Sequence, residues 1–288
     1  MNADKRIALC LALTAVFMAA AVPVHNAFIP PDEMYTRIIQ FEKAGLADIV
    51  ITGNSHSFYG INAKVMSDIL DCEVTDFAFT GLRYGYESYY RKAEECLAED
   101  SAVKMLIFNI DPFAFRGGLT DMNPDFPEIV KMSPRKRRFV KFCGKNFSRY
   151  HEAHAAYIED SDFFVLRDNY TPAIRDRYVF KYCRCLRARL NGDDYERFLK
   201  HTEKWSESGI KVVGLRVPDD KESTAAAMKK IAEDGLKDRF EKAGGIWVDV
   251  PGEYETVDGS HLTTESAYRY SEALSKELKK VTGENPNR

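Results

Sequence analysis

Five short apolar runs recur along the chain, separated by stretches whose apolar residues follow helical spacing. Several of the runs are apolar throughout, which is typical of parallel strands covered on both faces. Helical spacing follows them between residues 223 and 243 and again between residues 267 and 281. This alternation predicts an α/β fold built on a doubly wound, mostly parallel sheet. The predicted strands are Asp48–Thr52, Val74–Ala78, Val103–Ile110, Lys211–Val217 and Ile246–Val250.

The alternation stops between Asp111 and about Asn191, where the chain has several prolines, many aromatic residues and no clear strand. We expect an insertion of helices and loops after the third strand. Residues 131–190 carry 15 Lys and Arg against 6 Asp and Glu, a balance of +9 that leaves −12 for the rest of a chain of net charge −3. Two interpretations stay open. The segment is either an ordinary solvated helical surface or a basic surface for anionic lipid headgroups or an anionic envelope polymer.

The N-terminal part of the chain contains an apolar segment. Lys5 and Arg6 precede residues 7–24, in which Thr14 is the only plainly polar residue. As a helix this segment would measure about 27 Å, close to the hydrocarbon core of a bilayer. Residues 1–28 are therefore predicted to be either a membrane anchor or a signal peptide, and residues 29–288 the α/β domain. Both alternatives place that domain outside the cytoplasm, membrane-anchored or secreted.

Length, charge and cysteine content narrow the class of protein further. The 288 residues, 45% of them hydrophobic, suffice for one α/β domain of about 250 residues. A net negative charge argues against nucleic acid as a partner. Cys183-Arg184-Cys185 has the wrong spacing for a redox or zinc motif, and His151 and His154 are three residues apart, with no third ligand. No metal or other cofactor is expected.

The first candidate for chemistry is a serine on a strand-to-helix turn. The strand that ends at Thr52 leads directly into Gly53-Asn54-Ser55-His56-Ser57. A serine there is exposed at the carboxyl end of the sheet, where α/β folds bind ligands, and near the positive end of the next helix. The alternative is that Asn54 or Ser55 only caps that helix. Because adjacent residues in a turn point apart, His56 is interpreted as shaping the rim of the pocket.

The second candidate is the loop Asp258-Gly259-Ser260-His261, which precedes the final helix. An aspartate three residues before a histidine can accept the imidazole Nδ1–H, which leaves Nε2 free to take a proton from a serine hydroxyl. The alternative is a turn in which His261 packs or caps. Because both motifs follow predicted strands in the right order, we expect Ser55 to be a nucleophile, His261 its general base and Asp258 the carboxylate that orients the base.

Together these motifs resemble the SGNH/GDSL hydrolase superfamily. Gly53-Asn54-Ser55 matches the first block of that superfamily, Gly81 the glycine after the second strand, Asn109 the asparagine after the third, and Asp258 to His261 the last block. The third block departs from the pattern, because Ile107 stands where a glycine is usual and Asp111 is displaced by one position. The resemblance implies a flavodoxin-like three-layer fold and an oxyanion hole made by the Ser55 and Gly81 backbone N–H groups and the Asn109 side chain.

The resemblance also implies a reaction. It predicts a serine esterase or O-acyltransferase that acts on ester-linked acyl groups of an extracytoplasmic polymer through an acyl-Ser55 intermediate. The chain is similar to membrane-anchored members of the D-alanyl-lipoteichoic acid biosynthesis and polysaccharide O-acetylation type. The implied partners are an acylated glycopolymer or another ester substrate and a membrane O-acyltransferase. The alternative is a catalytically silent, membrane-anchored scaffold or polymer-binding partner of an envelope O-acylation system.

Overall fold

A computed structural model describes the part of the chain that carries the sheet and the two candidate motifs. It describes residues 42–78, 90, 93–94, 97, 101–115, 133–139, 155–158, 163–166, 172–187 and 192–283. The strands of the main sheet are β1 (Ile49–Thr52), β2 (Val74–Asp76), β3 (Met105–Asn109), β6 (Lys211–Leu215) and β7 (Ile246–Trp247). Each falls inside one of the five predicted runs, so those strand predictions are confirmed.

The five strands form one sheet in the order β2-β1-β3-β6-β7, and every pairing is parallel. The second strand in the chain lies on one side of the first, and the third strand lies on the other side. After β2 the chain therefore crosses to the opposite side of β1 to form β3, so the strand order reverses between β1 and β3. In open α/β sheets this reversal opens a crevice at the carboxyl ends of the strands, which is where ligands bind.

Side chains that alternate along the strands build two separate apolar cores. Val50, Leu106, Phe108 and Val212 face one layer of helices, whereas Ile51, Ile107, Val213 and Leu215 face the other. The first layer contributes Phe198, Trp205 and Phe240, and the second contributes Met66, Tyr270, Leu274 and Leu278. Because both faces of the sheet are covered, its strands carry no polar alternation. The predicted three-layer α/β architecture is confirmed.

Seven helices are fully bounded within the described residues. They are α1 (Ser55–Gly60), α2 (Ala63–Leu70), α3 (Pro172–Cys185), α4 (Gly192–Glu207), α5 (Lys221–Glu233), α6 (Leu236–Lys242) and α7 (Thr264–Thr282). The helical pattern between residues 223 and 243 is not one helix. It divides at Gly235, whose φ of 61° ends α5 and starts α6. Thr263 caps α7, because its side chain accepts the backbone N–H of Ser266.

The predicted insertion differs from expectation in one respect. Strands β4 (Ala155–Ile158) and β5 (Phe163–Leu166) pair antiparallel as a separate two-stranded sheet. The expectation of helices and loops without a strand is therefore wrong. Two apolar four-residue runs separated by four polar residues are a hairpin pattern, and these runs are shorter than those of the parallel strands. Residues 134–139 are helical, as is α3.

The predicted N-terminal apolar helix and its alternatives lie outside the described residues. Within the residues that the structure does describe, no helix is both long enough and apolar enough to cross a membrane.

Candidate active site

The turn between β1 and α1 places Ser55 at the crevice. Asn54 caps α1 by accepting the backbone N–H of His56 at 3.1 Å, and Ser55 is the first residue of the helix. Gly53 has a φ of 150°, and a Cβ there would lie 2.6 Å from Ser57 Oγ and 3.1 Å from Asn109 Cβ. A larger residue would therefore push the turn away from the end of β3. The glycine lets the serine turn and Asn109 approach each other closely.

The loop before α7 places Asp258 and His261. Asp258 is 2% exposed, and its Oδ1 accepts the backbone N–H groups of Ser260 at 2.9 Å and of His261 at 2.8 Å. Gly259 has a φ of 84° and sits against α3, because a Cβ there would meet Val179 Cγ2 at 2.9 Å and the carbonyl oxygen of Arg175 at 3.2 Å. This loop is thus held in place by its own backbone hydrogen bonds and by its contact with a helix of the predicted insertion.

The structure brings the three predicted triad residues into one hydrogen-bonded chain. Ser55 Oγ lies 2.9 Å from His261 Nε2, and His261 Nδ1 lies 2.8 Å from Asp258 Oδ2. Burial alone would raise the pKa of the Asp258 carboxyl, but His261 and the two backbone N–H groups lower it to about 2. An ionised carboxylate can only accept a hydrogen bond, so Nδ1 carries the proton and Nε2 accepts one from Ser55. The arrangement can transfer the Ser55 proton to His261.

Of the predicted oxyanion residues, Asn109 lies beside the turn and Gly81 lies outside the described residues. Asn109 is fully buried at the end of β3. Its Oδ1 accepts the backbone N–H of Val217 at 2.9 Å, and its Nδ2 donates to Asn54 Oδ1 at 3.1 Å. An amide nitrogen has two hydrogens, so one remains for a further acceptor. The oxyanion role of Asn109 and of the Ser55 and Gly81 N–H groups stays a prediction.

His56 does not shape a pocket rim, and that interpretation is wrong. The residue is 5% exposed, and its ring is enclosed by side chains that the sequence analysis did not connect. Helix α1 starts at Ser55, so the next residue points inward rather than along the rim. The enclosing polar side chains are Asn54, Asp111, Asp219 and Ser260, with Arg216 and Tyr182 behind them.

The sequence contains two further pairs of residues of the types used in metal or redox chemistry. His151 and His154 fall outside the described residues, while Cys183 and Cys185 in α3 are free thiols. Among the described residues, no group of three or more His, Cys, Asp or Glu is arranged to hold a metal ion.

Comparison with known proteins adds little to this description. No family model matches the chain, and no curated protein matches it. A solved structure to which the chain is similar is a carbohydrate acetylesterase family member from Sinorhizobium meliloti. The two share 11% sequence identity with a TM-score of 0.42, over 82% of this chain and 98% of that one.

Proposed function

We propose that the chain is a serine esterase or O-acyltransferase that works through an acyl-Ser55 intermediate. The observation that carries the proposal is the hydrogen-bonded chain from Ser55 through His261 to Asp258 at the carboxyl ends of a parallel sheet. A hydrogen-bonded serine and base, with the base oriented by a third group, is the arrangement that activates a hydroxyl nucleophile.

The proposed reaction has two halves that use the same residues. Ser55 Oγ attacks the carbonyl carbon of an ester while His261 Nε2 takes the hydroxyl proton, and the carbonyl oxygen becomes an oxyanion. His261 then returns the proton to the departing alcohol oxygen as the carbon–oxygen bond of the substrate breaks. In the second half, water or a sugar hydroxyl gives its proton to His261 and attacks the acyl carbon. The bond between the acyl carbon and Ser55 Oγ then breaks as His261 returns the proton to Ser55 Oγ. Water as the second nucleophile makes an esterase, and a sugar hydroxyl makes a transferase.

The proposed substrate is an acylated glycopolymer outside the cytoplasm. Two features support this part of the proposal. The sequence places Lys5 and Arg6 before an apolar segment, a pattern that directs the following domain across the membrane. In addition, α3 packs against Gly259 and presents exposed basic residues near the site, which suits an anionic chain. These are Arg175, Arg177, Lys181 and Arg184.

A fluorophosphonate probe tests the reaction class, because it reacts only with an activated serine. We expect the full chain, purified in detergent, to be labelled, and Ser55→Ala and His261→Ala to lose labelling. Ser57→Ala is the matched control. It lies two residues away, and its buried Oγ makes no hydrogen bond to any described residue, so the variant should label like the unaltered chain. Labelling that persists in Ser55→Ala would refute the nucleophile, whereas a folded chain that is never labelled would favour the scaffold.

A further inference from the structure

Beneath the Ser55–His261 pair lies a cluster of four buried ionisable side chains, which we call the buried quartet: His56, Asp111, Arg216 and Asp219. None is more than 8% exposed. They come from α1, from the residue two after β3, from the residue after β6 and from the loop that follows it. Charges in such a place are costly unless they neutralise one another.

The charge count of the quartet determines the state of its histidine. Asp111 and Asp219 contribute two negative charges, and the Arg216 guanidinium, which pairs with Asp219, contributes one positive charge. Tyr182 Oη donates to Asp111 Oδ1 at 2.7 Å and accepts from Arg216 at 3.0 Å, so the phenol stays protonated and neutral. One negative charge is left over. Within the quartet, only a protonated His56 can cancel it.

The contacts of the His56 ring favour the same protonation state. Nδ1 lies 3.0 Å from Asn54 Oδ1 and 3.3 Å from Asp111 Oδ2. Nε2 lies 2.9 Å from Asp219 Oδ1 and 2.9 Å from Ser260 Oγ. Each nitrogen therefore lies within ion-pair distance of a carboxylate oxygen, and an imidazolium presents a positively polarised N–H on both sides of the ring. Asp219 Oδ1 takes no hydrogen bond from any described group, so its 2.9 Å contact with His56 Nε2 is an ion-pair contact, and the imidazolium is its compensating charge.

The electrostatics of the quartet agree with this geometry. Burial lowers the pKa of His56, and Arg216 lowers it further, but the carboxylates of Asp219 and Asp111 outweigh both and raise it to about 9. In turn, Arg216 and His56 hold the pKa of Asp111 below its usual range against the effect of burial. The remaining ring close to His56 is His261, stacked at 5.4 Å between centroids.

We propose that His56 is a positioning residue that is charged at neutral pH, whose imidazolium ties the serine turn to the histidine loop and cancels the negative charge beneath the reacting atoms. His56 directly follows Ser55, and it contacts Ser260, which directly precedes His261. Without its charge, the quartet would retain one negative charge close to the place where the oxyanion forms, and that charge would oppose the transition state. The proposal rests on the proposed serine chemistry, which Ser55→Ala tests separately.

Nuclear magnetic resonance tests the charge state without any assay of activity. The chain has 6 histidines, so labelling them with ¹⁵N in the full chain in detergent gives few signals, and His56→Gln identifies the relevant one. We expect both His56 ring nitrogens to be protonated at about pH 7 and to titrate together near about pH 9. A neutral imidazole at about pH 7 would overturn the proposal, whether or not the chain is an enzyme.

Fluorophosphonate labelling rates test the positioning role. His56→Gln leaves the quartet with a charge of −1, and we expect labelling to slow at least about 100-fold. The double variant His56→Gln with Asp219→Asn is neutral again, and we expect it to recover to within about tenfold of the unaltered chain. His201→Gln is the matched control. His201 pairs with Glu94 away from the quartet, so this variant should label normally.

Two labelling results would contradict the positioning role. One is normal labelling by His56→Gln. The other is a double variant that labels no faster than His56→Gln although its thermal unfolding shows that it is folded.

The pH profile separates a charge effect from a merely structural one. The folded-state pKa of His56 lies above its ordinary value of 6.5. The contribution of His56 to folding stability is therefore complete below about pH 6.5, and its positive charge is lost as the pH rises through about 9. We therefore expect the labelling rate of the unaltered chain to fall near about pH 9, a fall that the double variant should not show. A labelling rate that stays level through about pH 10 in the unaltered chain would overturn the charge role.

If the unaltered chain is never labelled, the serine chemistry fails, and the magnetic resonance titration alone decides the state of His56.

Discussion

Replacing Asp258 with asparagine is a sharp test of the triad, because the structure dictates how the new amide must face. Asp258 Oδ1 accepts two backbone N–H groups, from Ser260 and His261, and Oδ2 faces His261 Nδ1. In Asp258→Asn the amide oxygen takes the Oδ1 place, since an NH₂ group there would face two donors. The NH₂ group then donates to Nδ1. The imidazole proton is forced onto Nε2, where it faces Ser55 as a donor and cannot accept the hydroxyl proton.

The expected losses in rate and in stability are of different size. A triad histidine in the wrong tautomer costs about 10⁴ in rate, which is about 5.5 kcal/mol of barrier. The lowering of the Asp258 pKa from 3.8 to about 2 limits the loss of unfolding free energy to about 2 kcal/mol at neutral pH. Because this pKa is depressed, the contribution is present above pH 3.8 and is lost as the pH falls through about 2. The loop keeps both backbone hydrogen bonds, so the variant should fold.

The assay is the second-order rate constant of fluorophosphonate labelling, measured together with thermal unfolding. Asp249→Asn is the matched control. Its carboxylate contacts Lys237 and Trp247 at 2.8 Å each, and it takes no part in the Ser55–His261 chain. We expect that control to label at the normal rate. If Asp258→Asn labels within about tenfold of the unaltered chain, His261 does not depend on Asp258 for its tautomer and the argument fails.

Two further variants test the oxyanion prediction and the last helix. Asn109→Ala should slow ester hydrolysis about 10²–10³-fold if its free amide hydrogen meets the oxyanion, and should also lower the unfolding temperature because Val217 N–H loses its acceptor. A lower unfolding temperature with unchanged turnover would mean that Asn109 is structural only. Thr263→Ala removes the cap of α7 and should cost about 1 kcal/mol, or roughly 2–4 °C in unfolding temperature by calorimetry. An unchanged transition would show that the cap contributes nothing.

The parts of the fold that the sequence predicts are those fixed by local patterns. The strands of the main sheet are covered on both faces, so their apolar runs are long enough to recognise, as in Val103–Ile110 around β3. The break between α5 and α6 depends on one residue, Gly235, whose apolar neighbours continue the helical spacing across it. The strands β4 and β5 coincide with apolar runs of only four residues each, shorter than the runs that predict the main sheet, and such short runs do not stand out from helical segments by periodicity alone.

The triad, like the main strands, follows from local sequence patterns, whereas the buried quartet does not. Asp258 and His261 meet within a single loop, and Ser55 lies on a recognisable turn, so these three residues could be predicted. The members of the quartet are as much as 163 positions apart in the chain, from His56 to Asp219, and no spacing connects them. Each resembles an ordinary polar residue after a strand or in a turn. Their burial is visible only when the sheet order is known.

The register of the sheet nevertheless explains why the quartet forms where it does. Asn109 pairs with Leu215 in the parallel ladder between β3 and β6, so the residues that follow each strand leave the sheet side by side. Asp111 follows Asn109 by two positions and Arg216 follows Leu215 by one, which brings both to the crevice between β1 and β3 that Ser55 also enters. A serine nucleophile at this crevice therefore lies next to the ends of β3 and β6. Whatever charge those ends carry must be cancelled locally, and the residue next to the serine is well placed to do so.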